Sequence, residues 1–437
     1  MTKRHPIRRQ AKTYPIGAVQ QFEVTGLTHE AKGVARPEGK VTFIDGALPG
    51  ETVEAQVIKP GKKFDLAKLN TVLTASPHRI APPCKHYASC GGCSFQHLAG
   101  AQQLEAKHHW LGGQLRKVFD IQHIDMLTDL TFAYRRRARL SVKVLKGKVI
   151  LGFRGKASTQ VIAIDNCIVL TEPLQKLYKG LQEQLCENEL AAKLGHIELL
   201  EDAQRASVLF RLTDTISPAL KVFWDNWAQN QHIELYWQSA DSRRTQIDLS
   251  AMRHYVIDDL TLFYHPQDFI QVNAPMNAKM VAQAMEWLAP NEQDVVLDLF
   301  CGGGNFSLPL AKRAKQVIGI EVQESMVAAG RRNAEYNNLS NLSFISADLS
   351  KHAGDKFSQY GVTKILLDPP RGGAFEFLDS LIKIKPQQIL YVSCDAATLA
   401  RDAEYLVLNG FKVTRVTMMD MFPQTSHVET MMLLEHG

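Results

Sequence analysis

Apolar positions along the chain follow three successive patterns. Between residues 18 and 75 they form short β-branched runs, AVQQFEVTGL (18–27), VTFIDGALPGETVEAQVI (41–58) and LAKLNTVLTA (66–75), broken by Gly and Pro. Several short strands in so small a span predict a barrel of the oligonucleotide-binding kind. Pro77, Pro82 and Pro83 stop regular structure over 76–83, and 97–118 predicts a helix. From about 130 to 265 the pattern is mixed and gives no clear period. From about 266 it becomes regular: VVLDL (295–299), QVIGI (316–320), LSFI (342–345), KILL (364–367) and QILYVS (388–393) alternate with helix-length amphipathic segments such as 323–336 and 396–408. That alternation predicts a doubly wound parallel sheet. The segment 412–435 predicts two strands joined by a loop, with its Met pairs as core filling. The expected architecture is therefore α/β in three parts: a β-barrel over 1–75, a mixed α+β region over 76–265, and a Rossmann-like domain over 266–437.

Composition narrows the class. With 437 residues, 45% hydrophobic and 22% charged, the chain is an ordinary globular one rather than disordered or fibrous. No run of about 18 apolar residues predicts a membrane span. The N-terminal MTKRHPIRRQAK is basic without an apolar core behind it, unlike a secretory signal. Seven cysteines are too few for a disulfide framework at this length, so a reducing cytoplasm is expected. The net charge is +5, and residues 1–70 hold 12 Lys/Arg against 7 Asp/Glu, so the whole excess lies there. A solvated basic tail would account for this, and the sharper reading is a compact, basic, β-rich module that contacts phosphates. A strand starting in Tyr134–Ser141 would place Arg135, Arg137 and Arg139 on one face, as a solvated sheet edge or as a contact to an RNA backbone.

The regular part carries candidate chemistry. Asp298-Leu299-Phe300-Cys301-Gly302-Gly303-Gly304-Asn305-Phe306 follows the first strand and opens a helix, with glycines that permit a tight turn and close ligand approach. No Lys-Ser/Thr follows the glycines, which excludes a P-loop. Glu321 ends the next run, 19 residues after Gly302, where a carboxylate suits ribose hydroxyls. Asp298 at the strand end suits a cationic ligand. S-adenosylmethionine, with a sulfonium, an amino group and a ribose but no phosphate, fits this acidic loop better than NAD. Asp348, after the third strand, suits the adenine amino group.

Leu367-Asp368-Pro369-Pro370-Arg371 ends the fourth strand, its prolines fixing a rigid turn at the ligand face. Adenine-N6 methyltransferases place an aromatic residue where Arg371 stands, which argues against amine methylation. Val392-Ser393-Cys394-Asp395 ends the fifth strand and puts Cys394 at the carboxyl edge of the sheet. A thiolate there could add to C6 of uracil and turn C5 into a nucleophile, after which a base must remove the C5 proton. His427 and Glu429, in Phe422–Thr430, both suit that role, and spacing does not choose between them. Cys84-x5-Cys90-x2-Cys93, with Cys167 further on, suits zinc or an iron–sulfur cluster. His86 and His97 are substitutes should Cys167 not ligate. Cys186 and Cys301 are expected to pack.

Together these motifs resemble the RNA uracil-C5 methyltransferases, specifically the bacterial branch that acts on 23S rRNA and carries both a TRAM domain and a [4Fe-4S] cluster. The segment Gly33–Arg36 and the turn Leu48–Glu51 look like TRAM. Having both features points to the uracil-1939 branch. The resemblance spans nearly the whole chain. It implies an S-adenosylmethionine-dependent enzyme with 23S rRNA as partner, working in the cytoplasm. It implies cluster ligands at Cys84, Cys90, Cys93 and Cys167, and cofactor positions at Gln271, Phe300, Asn305, Glu321, Asp348 and Asp368. It also implies Cys394 as nucleophile and Glu429, over His427, as base. Rival readings are a uridine in another rRNA or a tRNA, a cytosine-C5 enzyme, and a cluster-bearing RNA sensor without catalysis. A cytosine-C5 enzyme would often show Pro-Cys where this chain has Pro370-Arg371.

Overall fold

The structure is a computed structural model that describes residues 14–186, 188–241, 252–349 and 357–437. The chain divides into two compact units, one of residues 1–88, 93–110 and 424–426, the other of 89–92, 111–423 and 427–437.

In the first unit, β1 (Val19–Leu27), β2 (Lys32–Ala35), β3 (Val41–Asp45), β4 (Thr52–Lys59) and β5 (Phe64–Thr74) close into a barrel in the order β1-β2-β3-β5-β4. Alternation along the strands builds the core: Phe22 and Val24, then Val53, Ala55 and Val57, point inward and are almost wholly buried. The apolar run 41–58 is two strands, because Gly46 and Gly50 take positive φ in the turn between them. The barrel carries one buried ion pair, Lys40 Nζ to Asp65 Oδ1 at 2.8 Å, with side chains 4% and 0% exposed. Its charge corrects the sequence reading. Lys/Arg and Asp/Glu balance between residues 14 and 70, so the net +5 resides in the basic residues of 1–13, which lie outside the described residues.

Helix α1 (Gly100–Leu115) follows, and the second unit adds a short β6 (Asp125–Leu127). A central sheet then forms from β7 (Arg137–Leu145), β8 (Lys148–Arg154) and β9 (Val161–Ala163), helix α2 (Glu172–Leu185), β10 (Leu194–Glu201), β11 (Ala206–Leu212), helix α3 (Pro218–Asn230) and β12 (Glu234–Gln238). Its order is β12-β11-β10-β7-β8-β9. Ala138, Leu140, Ile197, Leu199, Val208 and Phe210 line one face and pack with α2 and α3 around Trp224. Arg135 precedes this sheet rather than extending β7. Arg137 is part of the architecture: Nη2 donates to Glu198 Oε2 (2.6 Å) and to the Pro266 carbonyl (3.0 Å). Neither is an exposed edge cation; β7 is an interior strand, and of the three only Arg139 is exposed. Cys186, expected to pack, caps the C-terminus of α2 and is exposed, whereas Cys301 is buried.

The hairpin β13 (Arg253–Ile257)–β14 (Leu260–Tyr264) and helix α4 (Ala274–Leu288) lead into the second large sheet. Its elements are β15 (Val295–Leu299), α5 (Ser307–Ala311), β16 (Gln316–Glu321), α6 (Glu324–Tyr336), β17 (Leu342–Ser346), β18 (Lys364–Leu367), α7 (Leu378–Ile384), β19 (Gln388–Ser393), α8 (Ala396–Leu408), β20 (Phe411–Met419) and β21 (Glu429–His436). The strand order is β17-β16-β15-β18-β19-β21-β20-β6. The first five strands are parallel, and β21 inserts antiparallel to both β19 and β20. The order reverses between β15 and β18, the switch point at which open α/β sheets bind ligands. Met418, Met419, Met431 and Met432 are fully buried, as core filling requires. Among the described residues no helix is long and apolar enough to cross a membrane.

The buried pair in the barrel gives a stability test. Lys40→Met leaves the Asp65 carboxylate buried without its cation and should cost about 3–5 kcal/mol in urea unfolding. The double change Lys40→Met with Asp65→Leu should recover most of that loss; a single variant as stable as wild type would show that the pair is not held in place.

Candidate active site

The carboxyl edge of the second sheet gathers acidic groups. Asp298 is the fourth residue of β15 and is paired in register with Gly319 and Leu366 on the flanking strands, which buries it. Its Oδ2 accepts the Ser307 hydroxyl, and its Oδ1 is buried with no hydrogen-bond partner. Burial, with the charges of Asp368 and Glu321 added, pushes its carboxyl up to about 7. Asp368 ends β18 alongside, where burial also pushes its carboxyl up to about 7.

The loop after β15 turns sharply. Phe300 adopts φ 62°, a strained conformation for a bulky side chain, and Gly302 and Gly304 take φ 54° and 100°. A Cβ on Gly304 would lie 2.3 Å from Leu308 Cδ1, so a side chain there would displace Leu308 and adopt a φ that L residues rarely take. Glu321 closes the turn from the next strand: Oε2 accepts the Gly302 N–H (3.2 Å) and Oε1 accepts the Gln323 N–H (2.9 Å). Asp348 follows the end of β17 and is half-buried. Gln271 is half-buried in the segment before α4, and its carbonyl accepts Arg136 Nε (2.9 Å).

Asn305 has a different setting from the other cofactor candidates. Its amide is reciprocally bonded to that of Asn277, at 2.9 Å in both directions, and its Oδ1 also accepts the Tyr255 hydroxyl (3.2 Å). The side chain therefore holds the loop in shape. Asn333 does the same from α6, donating to the Gly303 carbonyl (3.1 Å) while bonding both backbone groups of Phe263. The β13–β14 hairpin thereby braces the glycine-rich turn. Composition and motif spacing gave no signal for Tyr255, Asn277 or Asn333, because the contacts join segments far apart in sequence.

Cys394 and Glu429 come together through sheet register. Ser393 of β19 pairs with Thr430 of β21 in an antiparallel ladder. Cys394 and Glu429 are the next residues beyond that pair, and the Glu429 charge is felt at the Cys394 thiol. The strand end is fixed by Asp395, whose Oδ1 caps α8 by accepting the Ala397 and Thr398 N–H groups (both 3.0 Å). The loop leading to β21 is tied by Asn273 Nδ2 donating to the Met421 carbonyl (3.1 Å) and by the Tyr134 hydroxyl donating to the Pro423 carbonyl (3.0 Å). His427 is exposed, with its ring 5.7 Å from that of Phe422.

Burial and the Asp368 charge push the Glu429 carboxyl up to about 8, with Arg371 opposing. Burial, then the negative charge of Glu429, pushes the Cys394 thiol above its ordinary value, again against Arg371. Arg371 is thus a cation whose charge acts on both Cys394 and Glu429. The sequence displayed it after the Asp-Pro-Pro turn, yet its role was legible only once β18, β19 and β21 were side by side. Its loop is held by Asp402, whose Oδ2 accepts the Ala374 N–H and the Tyr391 hydroxyl, both at 2.7 Å.

The donor set suits a cationic ligand: an unpartnered, buried carboxylate oxygen on Asp298, a second buried carboxylate on Asp368 and a glycine-rich turn closed by Glu321. The cysteines present a separate picture. Among the described residues no group of three or more His, Cys, Asp or Glu stands arranged to hold a metal ion. In the second unit, Gly91 N–H donates to the Arg154 carbonyl (2.9 Å), and the Gly92 N–H points at Cys90 Sγ (3.4 Å).

Comparison with known proteins agrees with the geometry. The family model "tRNA (Uracil-5-)-methyltransferase" matches residues 99–437, and the TRAM domain model matches residues 15–68. The chain is 60% identical over 425 residues to a Marinomonas sp. (strain MWYL1) protein named 23S rRNA (uracil(1939)-C(5))-methyltransferase RlmD, covering 97% of each chain. It is 42% identical over 421 residues to the protein of that name from Aeromonas hydrophila, covering 95% of this chain and 96% of that one. Its fold is similar to that of the Pyrococcus abyssi tRNA (uracil-54, C5)-methyltransferase in complex with S-adenosyl-L-homocysteine, with a TM-score of 0.75 and 24% identity over 95% of this chain and all of that one.

The electrostatics predict a pH dependence. Glu429 is a neutral acid below about 8 and a base above it, so kcat/KM for methyl transfer should rise with pH through that region. Arg371→Ala removes the opposing charge and should move the rise to higher pH. Glu429→Gln removes a negative neighbour, so the pH midpoint for iodoacetamide alkylation of Cys394 should fall. An alkylation profile unchanged in both variants would break the assigned coupling.

Proposed function

The chain belongs to the RNA uracil-C5 methyltransferase family, and from that premise we propose that it methylates C5 of one uridine of 23S rRNA, the one its relatives name as uracil 1939. The observation that supports the mechanism is that Cys394 and Glu429 directly follow and precede the paired residues Ser393 and Thr430 and interact through their charges. Asp298, Asp368, Glu321 and the Phe300–Asn305 turn hold S-adenosylmethionine, with Gln271 and Asp348 as further contacts. When bound, that cofactor supplies an electrophilic methyl group and a positive charge.

The chain's own residues do the rest. The Cys394 thiolate adds to C6 of the uracil and places an electron pair on C5, the atom that accepts the methyl group. Arg371 favours the thiolate, offsetting the burial and the carboxylates that disfavour it. Glu429, as carboxylate, then takes the C5 proton, and the electrons of that C–H bond restore the C5–C6 double bond as the thiolate leaves. Uracil C6 is inaccessible in a stacked strand, so the target base flips out to reach Cys394.

Cys84, Cys90, Cys93 and Cys167 form a [4Fe-4S] site in this reading. Its support is the all-thiol donor set and the Gly92 N–H aimed at the Cys90 sulfur, since hydrogen bonds to sulfur tune such clusters. Methyl transfer moves no net electrons between enzyme and substrate, so the cluster's part would be structural or in positioning the RNA.

Cys394→Ala should lower methylation by about 10⁴-fold or more while S-adenosylmethionine binding by calorimetry persists. Glu429→Gln should accumulate a covalent protein–RNA adduct on denaturing gels; recovery of free, unmodified RNA alone would remove Glu429 as the base. Anaerobically purified protein should be brown with about four irons per chain, and a colourless, zinc-loaded protein would replace the cluster with a zinc site.

A further inference from the structure

Arg136 stands just before β7, and only 6% of it is exposed. Burial holds its guanidinium below the ordinary range, with Tyr255, Tyr264, Glu201 and Asp202 opposing. Nε donates to the Gln271 carbonyl (2.9 Å), whereas Nη2 is buried with no hydrogen-bond partner. A well-packed apolar side chain is often the more stable occupant of such a site. The cation therefore needs a reason beyond stability, and its contacts supply one.

Two routes run from Arg136, and both end at Asn305. The first is the backbone. The Arg136 N–H donates to the Val272 carbonyl (2.8 Å), and Arg135 bridges Asn273. Asn273 caps α4 by accepting the Met276 N–H (3.2 Å), and the first turn of α4 carries Asn277, the amide partner of Asn305. The second route is the side chain. Arg136 Cζ lies 4.8 Å from the centroid of the Tyr255 ring, and the Tyr255 hydroxyl donates to Asn305 Oδ1 (3.2 Å).

The second route settles a choice that the first leaves open. A reciprocal amide pair is symmetric, because turning both amides over keeps both hydrogen bonds. A hydroxyl that donates to Asn305 Oδ1 breaks that symmetry, provided it stays a donor. Burial pushes the Tyr255 hydroxyl up to about 12, with Arg136 opposing, so it keeps its proton at neutral pH. A cation over the ring face draws electron density from the phenol, making its hydroxyl a stronger donor and a weaker acceptor. Asn305 Oδ1 then accepts twice, from Asn277 and Tyr255, which fills its two lone pairs. Nδ2 gives one N–H to Asn277 Oδ1, and its second N–H has no partner among the described residues.

We propose that Arg136 is a positioning residue for the cofactor. Through Tyr255 it fixes the Asn305 amide so that an N–H, not the carbonyl, is offered to S-adenosylmethionine, and through Gln271 and Val272 it holds the neighbouring cofactor segment. The inference rests on the reading above that Asn305 and Gln271 contact that cofactor, and adds what orients them.

The test uses the full-length enzyme. The Kd for S-adenosylmethionine alone is measured by calorimetry, and steady-state kinetics follow on a transcribed 23S rRNA fragment spanning the target uridine. Tyr255→Phe keeps the ring and removes the donor, so Kd should rise about fivefold. Arg136→Met also loses the bond to Gln271 and should raise Kd about tenfold. Arg136→Lys returns a cation and should recover part of that loss. In all three, kcat at saturating cofactor and the RNA KM should match wild type. Because the changes share a route, the double variant should exceed Arg136→Met by less than about twofold, where independent effects would multiply to roughly fiftyfold. An unchanged Kd in Tyr255→Phe overturns the inference, and decides it alone should Arg136→Met fail to fold. Effects that multiply, or a kcat and RNA KM that worsen in step with Kd, overturn it as well, since Arg136 would then serve the fold only. A wild-type enzyme that does not bind S-adenosylmethionine strikes the cofactor reading and the inference with it. One that binds it without methylating the fragment strikes the proposed target alone, and the calorimetry still decides the role of Arg136.

Discussion

Carboxylates crowded at one sheet edge are the constraint around which this active site is organised. Asp298, Asp368 and Glu429 are each pushed up to about 7 or 8, because burial withholds water and, at Asp298 and Glu429, neighbouring acids repel their charge. The fold accepts this cost where a hydrophobic edge would be more stable, and Ser307 relieves Asp298 only in part. The arrangement makes the edge receptive to a cation and hostile to a second anion. It also ties the thiol to the same balance: Cys394 ionises against Glu429 and Asp368 and with the help of Arg371. A positively charged ligand beside Asp298 and Asp368 would ease every one of these groups toward its ionised form. Binding of a cation at this edge and ionisation of Cys394 and Glu429 are then electrostatically linked.

The pair itself depends on how β21 is registered. A slip of one residue would move Glu429 to the opposite face of the sheet. Alternation cannot prevent that slip, because β21 is buried on both faces from Thr430 to Leu434. Polar ties at its ends do so instead. Gln388 Nε2 donates to Glu435 Oε1 at 2.8 Å at one end. Before the other end, Asn273 and Tyr134 hold the backbone of Met421 and Pro423. Asn273 and Tyr134 come from segments outside the sheet, so the position of Glu429 depends on residues remote from it in sequence.

This explains what the sequence disclosed. VVLDL, KILL and QILYVS were legible as strands with their observed bounds because each is a continuous apolar run buried on both sides. The motif residues at their carboxyl ends followed from the strand assignments. The central sheet was opaque for the opposite reason. It has one polar face, so β7 and β10 mix Arg, Glu and His with aliphatic residues, and long-range pairing completes it only after two helices intervene. Arg135 and Arg137 were read as surface cations because alternation shows a face and not what covers it. Likewise, the N-terminal charge was assigned to the barrel because it was averaged over 70 residues. Counted more finely, it belongs to the first 13.

Net charge also concealed the division of labour in the body of the enzyme. Beyond residue 70 the chain holds 38 basic and 38 acidic residues, a sum of zero. The zero is made of segregated parts: carboxylates line the carboxyl edge of the second sheet, and guanidinium and ammonium groups line the open face of the central sheet. Coulomb interactions fall off within a Debye length of about 8 Å at physiological salt, so each patch acts locally and the cancelling sum is never felt.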